Sequence, residues 1–128
     1  MRGQNMSEII CKRIYEQKEK TDGFRILIDR LWPRGMKKEN AGIDMWIKNI
    51  APSAELRKWF NHDPERYARF KEKYCAELSE NPKAVELCEL VSEKLQSGNV
   101  TLLYAARDTK HNNALVLKAW LDGKIEHI

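Results

Sequence analysis

Val100-Thr101-Leu102-Leu103-Tyr104-Ala105-Ala106 is a nearly continuous apolar run of strand length, and it stops abruptly at Arg107-Asp108-Thr109-Lys110-His111-Asn112-Asn113. A strand apolar at successive positions shows carbon on both faces, so it fits a sheet covered on both sides, the usual state of parallel sheets. Beyond the polar segment, Ala114, Leu117 and Leu121, joined by Val116 and Trp120, recur at helical spacing and predict a closing helix. The run therefore predicts a central strand that delivers charged side chains to the start of a helix.

Upstream, residues 9–14 and 24–29 each read as short strands, with Thr21-Asp22-Gly23 supplying turn chemistry between them. Ser53, after Pro52, suits a helix N-cap, and the helix it opens runs to about Asn61. Asp63-Pro64 restarts the chain, because aspartate caps well and proline in a first turn gives up no hydrogen bond. Tyr67, Phe70, Tyr74 and Leu78 follow at helical spacing. Asn81-Pro82 repeats the signal, and Ala84, Cys88, Val91 and Leu95 mark a further helix that stops near Gly98. Between residues 30 and 50, Pro33 and Gly35 impose a loop before residues 43–47 form a short helix. The order strand, strand, helices, strand, helix predicts an α/β fold, with the second and third strands paired in parallel through the helices. The expected architecture is a three-layer sandwich with a small, mostly parallel central sheet flanked by helices. Residues 8–128 form its single domain, and residues 1–7 are a flexible N-terminal segment.

Composition narrows the function. At 128 residues one core suffices. No run of about 18 apolar residues could cross a bilayer. The polar start Met1-Arg2-Gly3-Gln4-Asn5 lacks the apolar stretch of a secretory signal, which predicts a cytoplasmic product. Cys11, Cys75 and Cys88 are odd in number and lack Cys-x-x-Cys spacing, so they read as reduced packing residues. His62, His111 and His127 are scattered, and neither a metal nor a cofactor is expected. The net charge of +4 is a thin excess of 23 basic over 19 acidic residues with no basic stripe, which disfavours nucleic acid. Lys12, Arg13, Lys18, Lys20, Arg57 and Lys58 read as solvated.

In open α/β sheets, ligands bind beyond the carboxyl ends of the strands. Two segments end in that way. Ile26-Leu27-Ile28 delivers Asp29, Arg30, Trp32 and Arg34 into a Pro/Gly loop, and the run from Leu102 delivers Arg107, Asp108 and His111. If the two strands are neighbours, Arg30, Arg34 and Arg107 form with the helix start a site for phosphate or carboxylate. Asp29 or Asp108 then orients a hydroxyl or water, and His111 moves a proton near neutral pH. Trp32 stacks on a planar ligand, with Tyr104 and Asn112 completing the ligand contacts. The competing reading of the same residues makes Asp29–Arg107 and Asp108–Arg30 structural ion pairs that only close the strand ends.

The pattern Arg25-Ile-Leu-Ile-Asp29-Arg30-Leu-Trp32-Pro33-Arg34-Gly35, then Trp46, Ala51-Pro52-Ser53, Trp59-Phe60, His62-Asp63-Pro64, and finally Tyr104-Ala105-Ala106-Arg107-Asp108 with His111-Asn112, resembles the YeaO-like branch of the domain-of-unknown-function family 488. The likeness covers roughly residues 8 to 122. It implies a small cytoplasmic α/β protein without an assigned activity. Longer members are similar in placing a cysteine, a glutamate and a Cys-His-Arg cluster after a strand; here Tyr104, Arg107 and His111-Asn112-Asn113 stand near the matching positions. Losing those cysteines removes the thiol chemistry that the longer branch suggests.

Three functions follow as expectations. The first is a basic strand-end pocket that binds or acts on a small anionic ligand, phosphorylated or nucleotide-like. The second is a non-catalytic interaction or regulatory module presenting the Trp-rich loop and the helix around Trp59, for which a homodimer is one form. Nucleic-acid binding comes third.

Overall fold

The fold is taken from a computed structural model that describes residues 7–125. Of the expected flexible segment 1–7, all but Ser7 lies outside the described residues.

Four parallel strands form one sheet in the order β1-β4-β2-β3, where β1 is Ile9–Arg13, β2 Phe24–Leu27, β3 Met45–Trp46 and β4 Val100–Tyr104. The apolar run thus lies in the middle, with Val100 opposite Ile9 on one side and Phe24 on the other. All five of its residues are buried, as a strand covered on both faces requires. On one face, Ile9, Ile26, Val100 and Leu102 share a core with three helices: α3 (Tyr67–Ser79), α4 (Pro82–Lys94) and α5 (Asn113–Ile125). On the other face, Ile14, Leu27 and Leu103 meet Trp32, Met36, Ile43 and Trp46. The covering layer there is the 30–44 loop with the one-turn helix α1 (Lys38–Ala41). The molecule is an α/β sandwich whose second outer layer is thinner than the expected flanking helices.

The local start signals act as read. Ser53 Oγ accepts from Leu56 N at 3.1 Å to open α2 (Ala54–Phe60), Asp63 accepts from Glu65 N at 3.0 Å, and Asn81 accepts from Lys83 N at 2.9 Å. The short helix expected over 43–47 does not form. Its place is taken by β3 and a 3-10 turn, Lys48–Ile50. The cause is the open edge of β2, whose backbone groups need partners. Asp44 N donates to Arg25 O at 2.9 Å, Ile47 N donates to Leu27 O at 3.0 Å, and Asp44 Oδ2 accepts Arg25 N at 2.8 Å.

Lys12 is a second correction. It is not solvated but 8% exposed, on the amino-end half of the face covered by the loop layer. Its ammonium lies 3.0 Å from Asp22 Oδ1, and Asp22 also accepts from the guanidinium of Arg25. Arg25 satisfies its remaining donors on Gly42 O at 2.8 Å and Ala41 O at 3.0 Å, while Thr101 Oγ1 donates to Asp22 O at 2.7 Å. Among the described residues every buried side-chain nitrogen and oxygen has a hydrogen-bond partner. No helix among them is long and apolar enough to cross a membrane.

Candidate functional site

Parallel pairing puts the carboxyl ends of β2 and β4 side by side, and Asp29 fastens them together. Its Oδ2 accepts the N–H of Ala105 at 2.9 Å, and its own carbonyl accepts Trp46 Nε1 at 2.7 Å. Trp32 packs edge-on against Trp46 at 5.3 Å and donates Nε1 to Met36 O at 2.6 Å, which closes the 32–36 turn over the core. With Trp32 held inward, Arg30, Leu31 and Arg34 face solvent. Two residues of the β1 end brace both loops. Arg13 donates Nε to Ala106 O at 2.8 Å and Nη2 to Ala105 O at 3.1 Å, and Tyr15 donates its hydroxyl to Arg34 O at 2.8 Å.

The loop before α5 is built on Asp108 and Asn112. Asp108 Oδ1 accepts the N–H groups of Lys110 at 2.8 Å and His111 at 3.0 Å. Asn112 is 2% exposed; it donates Nδ2 to Asp108 O at 2.9 Å and caps α5 by accepting Leu115 N at 3.0 Å. Its carbonyl accepts the Tyr67 hydroxyl at 2.8 Å.

Between the loops lies a cleft of ≈ 820 Å³. Asp29, Arg30, Trp32, Arg34, Arg107, Asp108, His111 and Asn112 all border it. Tyr104 does not: as the last residue of β4 it is 3% exposed and packed in the helical core. Asn112 offers the cleft little, because its side-chain amide is used at both ends. The expected ion pairs Asp29–Arg107 and Asp108–Arg30 are absent among the described residues. Asp29 is held by Ala105 and, at 3.4 Å, by Asn113 Nδ2, while Asp108 meets His111 Nδ1 at 3.0 Å. Among the described residues, the guanidinium groups of Arg30, Arg34 and Arg107 have neither a hydrogen bond nor an ion-pair partner.

Sequence reading missed Arg57 and His62, which border the cleft from the α2 side. Arg57 is half-buried, not solvated, and donates Nε to Pro52 O at 3.1 Å. Only tertiary packing brings it near Asp29. Asn61 and His62 are consecutive left-handed residues, at φ 47° and 55°, an uncommon backbone state for non-glycine residues that often marks functional rims. The helix-ending asparagine was the one sequence signal there.

The carboxyls of the site differ. Burial pushes Asp29 above the usual aspartate range, partly offset by the Ala105 N–H, the Asn113 amide and nearby Arg57. Asp108 is lowered, foremost by the Lys110 N–H and then by His111 and its N–H, against a small opposing effect of burial. With Asp108 on Nδ1, the nitrogen His111 has left to offer is Nε2. The three cysteines are unreactive by the same reasoning: burial raises Cys75 and Cys88 and pushes Cys11 up to about 12. Among the described residues no group of three or more His, Cys, Asp or Glu side chains is placed to hold a metal ion.

A carboxyl raised by burial lends stability that is complete below the ordinary value of 3.8 and lost as pH rises through its higher folded value. Asp29→Asn keeps an oxygen for the Ala105 N–H and removes the charge. The melting temperature of Asp29→Asn relative to wild type should therefore climb from pH 3.8 upward, then level off. A difference that is flat or falls across that range in paired thermal scans would contradict the burial of Asp29.

Residues 8–127 match the family model described as the inactive DUF488-N3 subclade. The uncharacterized protein YeaO of Escherichia coli K12 is 47% identical over 113 residues, which cover 88% of this chain and 96% of YeaO. The uncharacterized protein Rv3073c of Mycobacterium tuberculosis H37Rv is 38% identical over 112 residues, covering 88% of this chain and 92% of the relative. No solved structure matches.

Proposed function

This chain belongs to the inactive DUF488-N3 subclade, and from that premise we propose that it is a binding domain whose basic cleft holds a small anionic ligand without turning it over. The observation that carries this reading is the set of unpartnered guanidinium groups of Arg30, Arg34 and Arg107 around one concavity. Three like charges left without carboxylate partners repel one another, and an anion is the species that relieves that repulsion. Arg57 adds a fourth positive charge from the α2 side. In this reading His111, with Nδ1 held by Asp108, donates Nε2–H to the anion when protonated, and Asp29 fixes the geometry of the two strand ends.

The test is a titration with inorganic phosphate at low ionic strength, read by thermal shift and calorimetry. Phosphate should stabilise wild type, because a ligand that binds only the folded state raises its stability by mass action. Arg107 is exposed and unpartnered, so Arg107→Ala should fold normally and bind phosphate about tenfold or more weakly, from a loss of about 1.5–3 kcal/mol per charged hydrogen bond. Equal phosphate response in the two proteins, or none in either, would reject the reading.

A further inference from the structure

The cleft is much larger than an inorganic anion. Its ≈ 820 Å³ falls among pockets that enclose whole organic molecules, about 300–1,000 Å³. Charge and carbon are also segregated within it. Arg30, Arg34 and Arg107 are exposed at the rim, whereas Ala51, Pro52, Phe60 and Phe70 give the inner wall. Phe60 and Phe70 are stacked at 4.3 Å and 21°.

Two further observations define what enters. Leu31 is 73% exposed, standing at the cleft edge between Arg30 and Trp32. Trp32 is fixed by its bonds to the core, so Leu31 has no route inward and stays bare until something apolar covers it. Asp29, half-buried on the inner side, bars a second negative charge from entering and leaves room there only for an uncharged group.

Resting on the anion-binding reading above, we infer that the ligand class is a phosphate monoester of an aromatic alcohol, with the phosphate at the arginine rim and the ring between Leu31 and the Phe60–Phe70 wall. Aromatic rings fit that wall because offset and edge contacts with phenylalanine add to simple area burial.

Calorimetry with inorganic phosphate, glycerol 1-phosphate and phenyl phosphate tests this on the full chain. Phenyl phosphate should bind about tenfold tighter than the other two, the return expected from burying one ring face and Leu31. Leu31→Ser, a change at an exposed position, should lower phenyl phosphate affinity several-fold more than phosphate affinity. If phosphate binds but phenyl phosphate is no tighter than glycerol 1-phosphate, or if Leu31→Ser weakens both ligands equally, the ring site is wrong and the anion site stands. If none of the three binds, the anion site itself falls.

Discussion

Asp22→Ala should cost about 3–5 kcal/mol of folding stability at neutral pH, the range expected when one partner of a buried ionic cluster is removed. Asp22 is 2% exposed and Arg25 1% exposed, so neither water nor a side-chain rearrangement can replace the lost carboxylate. Arg25 would keep the carbonyls of Gly42 and Ala41 but lose its counter-charge, and Lys12 would keep only Glu19 at 3.1 Å. The carboxylate also accepts the Glu19 N–H at 3.1 Å and so holds the turn before β2. Asp22→Asn preserves that shape without the charge and should still be strongly destabilised. Glu19→Ala is the contrast, because the Glu19 side chain is 65% exposed and its pair with Lys12 is largely solvent-screened, worth under about 1 kcal/mol. Urea unfolding of the three variants separates these cases, and a loss below about 1 kcal/mol in Asp22→Ala would refute the buried cluster.

The same cluster sets an acid limit. Burial raises the Asp22 carboxyl, but hydrogen bonds from Lys12, the Glu19 backbone and Arg25 together outweigh it and leave the group below its ordinary value of 3.8. A lowered carboxyl contributes stability that is whole above 3.8 and lost as pH falls through the folded value. Asp22 thus opposes Asp29 in sign, so acid removes the contribution of the first while neutralising the charge burden of the second.

What could be read in advance was local chemistry. The caps at Ser53, Asp63 and Asn81 depend on a side chain and the next few N–H groups, and Val100–Tyr104 declares itself by uninterrupted carbon. From that strand the meeting of two loops followed, since parallel neighbours must end on one side. What could not be read is set by distant neighbours. β3 exists because β2 has an open edge, and nothing within residues 43–47 distinguishes an edge strand from a helical turn. Lys12, Asp22 and Arg25 resemble surface residues until the sheet register brings them together beneath residues 41–44. The Trp-rich loop misled in the other direction: Trp32 and Trp46 pack against each other, and Leu31 is the large apolar residue the loop leaves in water.

Gly23→Ala is expected to be at least as damaging, because a Cβ there would lie 2.0 Å from Asn99 O and 2.7 Å from its carbonyl carbon. The clash is with backbone, which has no rotamer to yield, and the φ of +67° adds left-handed strain of about 1–2 kcal/mol for an L side chain. Asn99 is a junction. Its carbonyl accepts Phe24 N at 2.9 Å, its Oδ1 accepts Glu8 N at 2.9 Å, and its Nδ2 donates to Thr21 O at 2.8 Å. Moving it loosens the amino ends of three strands at once, at about 1 kcal/mol per hydrogen bond. The sum is on the order of 4 kcal/mol, or a fall in melting temperature of about 15 °C for a chain of this size. Gly35 provides the control, with a φ of +77° but nothing within 4 Å of its added Cβ, so Gly35→Ala should show the strain alone. Because β2 and β4 leave that junction to deliver Asp29 and Arg107, any folded Gly23→Ala should also lose the Asp29–Ala105 bond and bind phosphate poorly, whereas Gly35→Ala should bind it. Equal melting temperatures for the two variants would mean that Gly23 does not set the register on which the cleft depends.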